Sequence, residues 1–303
     1  PSSASHVTQR EFLQWLRENA TRERLLRSGL EQHGAVLLRG FPVPDAKAFN
    51  DAIEALSLPN FPYVGGNAVR TKVVGERVFT ANESPPDRKI PFHHELAQAP
   101  SSPALLLFYC ETPAETGGQT PIVPSSVVFE ELSEVHSETM ARLEEHGVVY
   151  SRVMTMQDRA ESAIGRGWKS TFNVSTKREA EAALQREGCK WEWLDKDALR
   201  QVSAPLPAVR TDKRTGKRVF FNQVWAAYTG WADEYNTPED CVRLGDGSLL
   251  PAQFMRDLGA ILDKNCVAFD WHHGDVLLVD NVLAMHARTS FTGKRRILAS
   301  LAR

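Results

Sequence analysis

Short apolar segments near the C-terminus constrain the fold of this chain more than any other feature. The stretch "VAFDWHHGDVLLVDNVLAMHARTSFTGKRRILASLA" alternates apolar runs with turn-forming residues, which predicts strand, turn, strand, turn, strand. Comparable strand patterns, "VVGERVFT", "IPFHHEL" and "ALLLFYC", lie in the first half of the chain, and helical patterns fill the middle. Strands of distant sequence origin that share one domain favour a double-sheet jelly roll.

We therefore expect one domain over residues 1–303, mainly β with α. Its core is predicted to be a double-stranded β-helix, or jelly roll, with flanking N-terminal helices. A helical insertion over roughly residues 125–265 would cover this core as a lid.

Local patterns predict where several helices begin and end. Residues 9–32 carry leucines and a phenylalanine at helical spacing, and a second helix follows Asp45, a suitable N-cap. In the middle of the chain, residues 125–147 begin with serines, which suit a helix N-terminus, and residues 176–179 form the T-x-x-E pattern of a capping box. The stretch "VRTDKRTGKRVFFNQ" predicts a hairpin with a basic tip, either an anion-binding patch or a solvated turn, and we favour the solvated turn.

The composition excludes several classes of function. The chain has 303 residues and a formal net charge of -2, so no strong field indicates nucleic acid or an anionic membrane as a partner. Its apolar runs are too short to span a bilayer, and its first residues lack the apolar core of a signal peptide. The four cysteines are scattered, which favours reduced thiols in a cytoplasmic protein.

The segment "FHHEL" carries the residues that most suggest chemistry. In a strand, alternate side chains share a face, so His93 and Glu95 would point to one side and His94 to the other. His286, in a C-terminal strand, is the best candidate for a third ligand, because His272 and His273 precede a Gly-Asp turn and are expected to be exposed there.

Two histidines and one carboxylate form the facial triad of non-haem Fe(II) oxygenases. A structural zinc site would need four ligands, usually including cysteine, and the HExxH pattern of zinc hydrolases is absent. An H-x-E pattern alone is weak, since a strand histidine is more often an ordinary core residue. Arg296 adds to it: an arginine that shares a strand face with Leu298 and Ser300 needs a buried anion, and its fork suits a carboxylate. The alternative is a surface arginine.

The chain resembles the taurine dioxygenase and clavaminate synthase-like family of Fe(II)/2-oxoglutarate-dependent dioxygenases. The likeness is to plant clavaminate synthase-like proteins and to syringomycin-type hydroxylases. It runs from "HGAVLLRGFPV" to the C-terminus and is carried by "PFHHELAQ", "ETGGQTPIV", "IGRGWKSTF", "WAAYTGW" and "GDVLLVDNVLAMHARTSFTGKRRILASL".

The resemblance implies a cofactor, Fe(II), and two co-substrates, 2-oxoglutarate and O2. His93, Glu95 and His286 would be the metal ligands, while Thr120 and Arg296 would bind the carboxylates of 2-oxoglutarate. The arginine that holds a sulfonate in taurine dioxygenase is replaced by Ser300. The presence of Glu95 favours hydroxylation or desaturation over halogenation, because halogenating relatives lack the carboxylate ligand.

The substrate is expected to be a small molecule, an amino acid or a carrier-bound aminoacyl group, because the resemblance points to such substrates. Four residues are candidates for substrate binding: Asn82, Glu83, Asn222 and Arg288. Asn82 and Glu83 could equally form a turn, and Arg288 could instead support the ligand strand. Rival functions are a desaturase or cyclase on the same iron, a metal-dependent hydrolase and a non-catalytic 2-oxoglutarate sensor. The sequence does not indicate an oligomeric state.

Overall fold

The structure is a computed structural model that describes residues 7–21, 26–81, 84–159, 162 and 164–303. Among the helices of these ranges, none has the length and apolar composition of a bilayer-spanning segment. Substrate candidates Asn82 and Glu83 lie outside the described residues.

The described residues form helices and strands in the following chain order. The α-helices are α1 (Gln9–Thr21), α2 (Leu26–His33), α3 (Ala46–Ala55), α4 (Ser125–Val135), α5 (Ser137–His146), α6 (Trp168–Phe172), α7 (Lys177–Arg186), α8 (Val224–Gly230), α9 (Pro238–Cys241) and α10 (Ala252–Asn265). The strands are β1 (Ala35–Leu38), β2 (Lys72–Val74), β3 (Val78–Thr80), β4 (Ile90–His93), β5 (Leu105–Thr112), β6 (Thr116–Gly117), β7 (Ile122–Pro124), β8 (Val148–Met154), β9 (Lys190–Trp193), β10 (Leu199–Val202), β11 (Arg210–Thr211), β12 (Arg218–Val219), β13 (Val242–Leu244), β14 (Val276–Asp280), β15 (Ala284–Arg288), β16 (Phe291–Thr292) and β17 (Arg296–Ala302).

A six-stranded antiparallel sheet, ordered β1-β14-β5-β17-β3-β2, forms the larger wall of the core. The central strands β14, β5 and β17 are buried along most of their length. Because side chains alternate along a strand, each of them packs against both faces of the sheet. On β5, Leu107 and Tyr109 pack against the N-terminal helices, where Phe49 and other apolar residues meet them. Leu106 and Phe108 pack on the opposite face, toward the interior of the domain.

A three-stranded sheet, ordered β4-β15-β7, lies across that interior. Ile122 and Ala284 share the interior cluster with the larger sheet, while Phe92, Val123 and Met285 pack against the insertion. The expected jelly-roll core, with strands drawn from both ends of the chain, is confirmed by this architecture and by the structural comparisons below.

The described residues between β7 and β14 form seven α-helices, α4 to α10, but also a four-stranded sheet ordered β13-β8-β10-β9. The predicted hairpin is present as the β11–β12 pair. Its tip is solvated, as expected, since Lys213, Arg214 and Lys217 are exposed. Arg214 nevertheless pairs with Asp212 at 2.9 Å and with Asp280 at 2.6 Å. The arginine therefore fastens the hairpin to the end of β14.

The predicted helix termini are met in part. Asp45 accepts from the Ala48 N–H, and the Thr176–Glu179 capping box has both of its hydrogen bonds. The serine cap at residue 125 was a wrong prediction: Pro124 occupies the N-cap, and Ser125 is a buried first residue of α4. A break at His136 also divides the predicted single helix into α4 and α5.

Candidate metal centre and active site

His93, Glu95 and His286 come together between the two sheets. His93 ends β4 and faces His286 directly across the β4–β15 pair, with ring centroids 4.2 Å apart. Glu95 lies in the turn that follows β4, and its Oε2 is 3.9 Å from His93 Nε2 and 4.0 Å from His286 Nε2. Each residue offers one ligand atom, and all three atoms lie within 4.8 Å of one another.

The chemistry of these donors suits a divalent metal. Burial lowers the pKa of His93 and lowers that of His286 well below its ordinary value, so both rings are neutral, the form that ligates metals. His93 Nδ1 donates to the Pro91 carbonyl at 2.8 Å, which leaves the Nε2 lone pair toward the centre. Within the described residues no fourth histidine, cysteine or carboxylate joins the group, so two neutral imidazoles and one carboxylate fit Fe(II) with open positions.

One buried amide holds the segment that carries Glu95. The Asn281 Oδ1 accepts the Glu95 N–H at 2.8 Å, and Asn281 Nδ2 donates to the Glu95 carbonyl at 3.1 Å and to the Pro103 carbonyl at 2.8 Å. Asn281 stands in the turn between β14 and β15, the strand of His286. The asparagine thus ties the Glu95 turn to the His286 strand. Sequence reasoning missed it because "DN" suggests only a turn.

His94 is turned away from the metal pair, as strand alternation predicts. It is fully buried, with Nδ1 2.6 Å from the Asn281 carbonyl and Nε2 2.9 Å from Ser125 Oγ. Burial lowers its pKa to about 3, so the ring is neutral, and Nε2 also lies 3.2 Å from the Phe220 carbonyl. Ser125 therefore supports His94 instead of capping α4.

The metal group opens onto a cavity of about 780 Å³. Thr120 lines this cavity, and its Oγ1 accepts a hydrogen bond from Trp271 Nε1 at 3.1 Å. The indole fixes the hydroxyl oxygen while the hydroxyl proton is left to donate, which is suited to a carboxylate ligand.

Arg296 is not at the cavity, and the prediction that it binds a buried anion is wrong. Its side chain is 51% exposed, and its Nε pairs with Glu111 Oε2 at 2.9 Å. Both faces of β17 are buried, with Ile297 on the cavity side and Leu298 against the helices, so apolar neighbours could not reveal which face looks inward. The surface alternative is the correct one.

Arg295 takes the place expected of Arg296. It lines the cavity on the same face of the chain as Ile297, and its Nε donates to the Gly118 carbonyl at 2.9 Å. Burial, reinforced by the nearby Arg288, lowers the pKa of Arg295 to about 10, and no carboxylate of the described residues pairs with it. A cation desolvated in this way favours an anionic ligand.

The other two described substrate candidates have supporting contacts. Asn222 is buried outside the cavity lining, and its Nδ2 donates to the Ala208 carbonyl at 3.1 Å. The prediction that its side chain contacts the substrate was therefore wrong. Its neighbour Gln223 lines the cavity instead. Arg288 does line the cavity, but its terminal nitrogens donate to the carbonyls of Ser84, Pro85 and Arg88. These contacts favour the supporting role that the sequence left open.

Cations predominate in the cavity wall. Among the described residues, the lining has five arginine and lysine residues and two carboxylates: Arg70, Arg88, Lys89, Arg288 and Arg295 against Glu95 and Asp263. Sequence reasoning missed Arg70, which pairs with Glu95, because nothing in "NAVRT" distinguishes a buried arginine from a surface one.

Comparisons with known proteins agree with this arrangement. Residues 4–301 match the model of the taurine catabolism dioxygenase TauD, TfdA family. The chain is 50% identical over 281 residues to a clavaminate synthase-like protein of Arabidopsis thaliana, covering 93% of this chain and 85% of that one. It is 29% identical over 284 residues to the dapdiamide synthesis protein DdaC of Enterobacter agglomerans, covering 90% and 83%.

Solved structures are similar in fold. A taurine dioxygenase from Burkholderia xenovorans has a TM-score of 0.50 at 15% identity, with 93% of this chain and 82% of that chain covered. AAD-2, solved with Mn(II) and N-oxalylglycine, has a TM-score of 0.50 at 14% identity, with 95% and 87% covered.

Proposed function

Because this chain belongs to the TauD, TfdA family of dioxygenases, which use Fe(II), 2-oxoglutarate and O2, we propose that it hydroxylates an unactivated C–H bond of a small, amino-acid-like substrate. Succinate and CO2 are the products from 2-oxoglutarate. The observation that carries the proposal is the group of His93, Glu95 and His286 at the wall of a large cavity.

The three residues would hold the iron through two imidazole nitrogens and one carboxylate oxygen. When bound, the iron supplies the redox chemistry that couples oxidation of 2-oxoglutarate by O2 to oxidation of the substrate. The protein keeps both rings neutral, orients Glu95 through Asn281, and places the group at the wall of a cavity that can hold a substrate.

The two carboxylates of 2-oxoglutarate need cationic and hydrogen-bonding partners. We assign this role to Arg295 and Thr120, because the guanidinium is desolvated without a carboxylate partner and the hydroxyl is fixed by Trp271. Arg295 replaces Arg296 in the role that the sequence suggested.

A carboxylate on the substrate is consistent with the cavity wall. Iron(II) and the 2-oxoglutarate dianion cancel in formal charge, so the surplus of arginine and lysine in the lining favours an anionic substrate. An amino acid, free or as an aminoacyl group on a carrier, meets that requirement. In taurine dioxygenase the sulfonate-binding arginine lies four positions after the arginine that binds 2-oxoglutarate. If Arg295 binds 2-oxoglutarate here, that position is Ala299 instead of Ser300. Neither side chain carries a charge that could pair with a sulfonate.

The test begins with anaerobic binding. Fe(II) and 2-oxoglutarate added to the metal-free protein should give a weak visible charge-transfer band, and His93→Ala should abolish it. Oxygen uptake and succinate formation are then measured with a panel of amino acids. Turnover with zinc in the absence of O2 would instead indicate a hydrolase, and binding without any oxygen uptake would indicate a sensor.

A cytoplasmic location is part of the proposal. Its support is that all four cysteines are free thiols, as is usual for proteins of a reducing compartment.

A further inference from the structure

Arg70 is a buried arginine in direct contact with the carboxylate of the metal group. Its side chain is only 6% exposed, and Nη2 lies 3.0 Å from Glu95 Oε2. Its Nε is buried without a hydrogen-bond partner among the described residues. Burying a guanidinium is costly, so this contact with Glu95 must compensate for the desolvation of Arg70.

The loop before β2 is shaped to place Arg70. The guanidinium carbon lies 4.1 Å from the centroid of the Tyr63 ring, and the Tyr63 hydroxyl accepts the Ala68 N–H at 3.1 Å. A Cβ on Gly66 would lie 2.1 Å from the Tyr63 ring, so a larger residue there would displace the ring that stacks on Arg70. Gln98, three residues after Glu95, donates to the Gly65 carbonyl at 3.3 Å. Arg70 is therefore held in place before any ligand arrives.

The oxygen that Arg70 contacts is the one that faces both histidines. Glu95 Oε2 is the atom near His93 Nε2 and His286 Nε2, so its second lone pair remains available to a metal while the first accepts from Arg70. Glutamate has one more rotatable bond than aspartate. Without a restraint, the carboxylate could turn and bind a metal through both oxygens, which would take a coordination position that 2-oxoglutarate or O2 needs.

We propose that Arg70 is a positioning residue that keeps Glu95 a ligand through one oxygen and thereby preserves the coordination positions for 2-oxoglutarate. The inference rests on the proposed function, since it presumes that the group binds iron. It assigns to Arg70 no contact with the reacting atoms.

The test compares Arg70→Met with Arg166→Met. Arg166 lies over the same Tyr63 ring, at 5.5 Å, but its guanidinium donates to the Ser170 carbonyl, whereas Arg70 is the arginine that pairs with Glu95. Its substitution therefore removes the same charge nearby without removing the restraint. The protein is labelled with ¹³C-glutamate, and infrared spectra are recorded before and after Mn(II) binds. The difference spectrum gives the frequency separation between the antisymmetric and symmetric stretches of the glutamate carboxylate. This separation is wider when one oxygen binds the metal than when both do. Titration of the anaerobic charge-transfer band reports 2-oxoglutarate affinity.

In Arg70→Met we expect the stretch separation of the metal-bound glutamate to narrow and the 2-oxoglutarate dissociation constant to rise at least tenfold, with Mn(II) binding retained. Arg166→Met should behave as the unmodified protein. Unchanged spectra and affinity in Arg70→Met, or equal changes in Arg166→Met, would overturn the inference.

Two further variants keep the test decisive if Arg70→Met does not fold, as judged by near-ultraviolet circular dichroism. Arg70→Lys keeps the charge and Arg70→Gln keeps an N–H donor. In both variants the stretch separation should be narrower, and the 2-oxoglutarate dissociation constant higher, than in the unmodified protein, but by less than complete loss of the restraint would cause. If both quantities equal those of the unmodified protein in both variants, the inference is overturned. Failure of the unmodified protein to bind Mn(II) and 2-oxoglutarate would refute the proposed function itself, which is a distinguishable result.

Discussion

Adjacent arginines at the start of β17 have opposite surroundings. Arg295 faces the cavity and has lost much of its hydration, whereas Arg296 is half exposed and paired with Glu111. The two differ by one position in a strand, and one position is a change of face. At the scale of single residues, the arginine that enters the cavity is therefore the one whose position places it on the inward face of the chain.

Separate substitutions of the two arginines test which of them faces the ligand. Arg295→Gln should raise the 2-oxoglutarate dissociation constant about tenfold or more, because a hydrogen bond to a charged group contributes about 1.5–3 kcal/mol. Arg296→Gln should leave that constant nearly unchanged, since an exposed ion pair contributes at most about 1 kcal/mol and to stability only. The measurement is anaerobic titration of the charge-transfer band, and the reverse order of effects would return the role to Arg296.

Turns, more than strands, position the side chains of the metal group. β4 ends at His93, and Glu95 lies in a turn where Leu96 adopts a left-handed φ of 57°. The amide of Asn281, in the turn between β14 and β15, bonds both backbone groups of Glu95. At the scale of elements, the distance of Glu95 from the two histidines therefore depends on the turn after β4, which the turn between β14 and β15 holds in place.

Substitution of Asn281 should separate this role from ordinary stability. Asn281→Ala removes three hydrogen bonds to buried backbone groups and should lower the free energy of unfolding by about 2–4 kcal/mol. It should also weaken Mn(II) binding, because the Glu95 turn loses its anchor.

Asn222→Ala is the matched control. It removes buried hydrogen bonds to the Ala208 carbonyl and the Val224 N–H, so it should destabilise the fold while Mn(II) affinity is kept. Urea unfolding and Mn(II) titration give the two quantities. Equal losses of Mn(II) affinity in both variants would show that Asn281 has no special role.

The turn between α2 and β1 presents a second element-scale test. Gly34 has a φ of +76° and Gly40, after β1, a φ of +80°, so alanine at either position is strained by about 1–2 kcal/mol. At Gly34 a Cβ would also meet the Cβ of Ala284, at the start of β15, at 2.8 Å, whereas Gly40 has open space. Gly34→Ala should therefore cost about 1 kcal/mol more than Gly40→Ala in urea unfolding. Equal costs would mean that the contact with β15 relaxes freely.

Residues from different parts of the fold converge on one cavity. His93 and His286 stand on the three-stranded sheet, Glu95 on a turn, Arg295 at the end of the larger sheet, and Gln223 beside α8 of the insertion. A ligand that contacts all of them links the two sheets and the insertion. At the scale of the whole molecule, binding and folding are therefore coupled.

This coupling predicts stabilisation by ligands. Mn(II) and 2-oxoglutarate bind the folded state, so each should raise the free energy of unfolding. At about 100 times its dissociation constant, each ligand should add about 2.7 kcal/mol. Thermal unfolding followed by circular dichroism should show a rise of several degrees that a chelator reverses. His286→Ala should lose the metal-dependent part, and a rise that survives this substitution would place the metal elsewhere.

Much of the architecture could be predicted from the sequence, because it depends on local rules. Alternating apolar runs at both ends of the chain indicated a jelly roll, and the Thr176–Glu179 capping box and the Asp45 cap marked helix starts correctly. The prediction that His94 points away from His93 was also correct, since adjacent side chains of an extended backbone lie on opposite faces. That rule did not place Glu95, which lies in the turn after β4.

Only the tertiary structure decided which cation faces the cavity and what holds the carboxylate. Arg295 and Arg296 could not be distinguished because both faces of β17 are buried, one by helices and one by the facing sheet. Arg70 and Asn281 reach Glu95 across 25 and 186 positions of the chain, and no local pattern encodes such contacts. The sequence by itself determined the fold and the kinds of side chain available to a metal; packing between distant segments determined which side chains meet at the cavity, because burial and pairing of charge depend on neighbours that only the folded chain brings near.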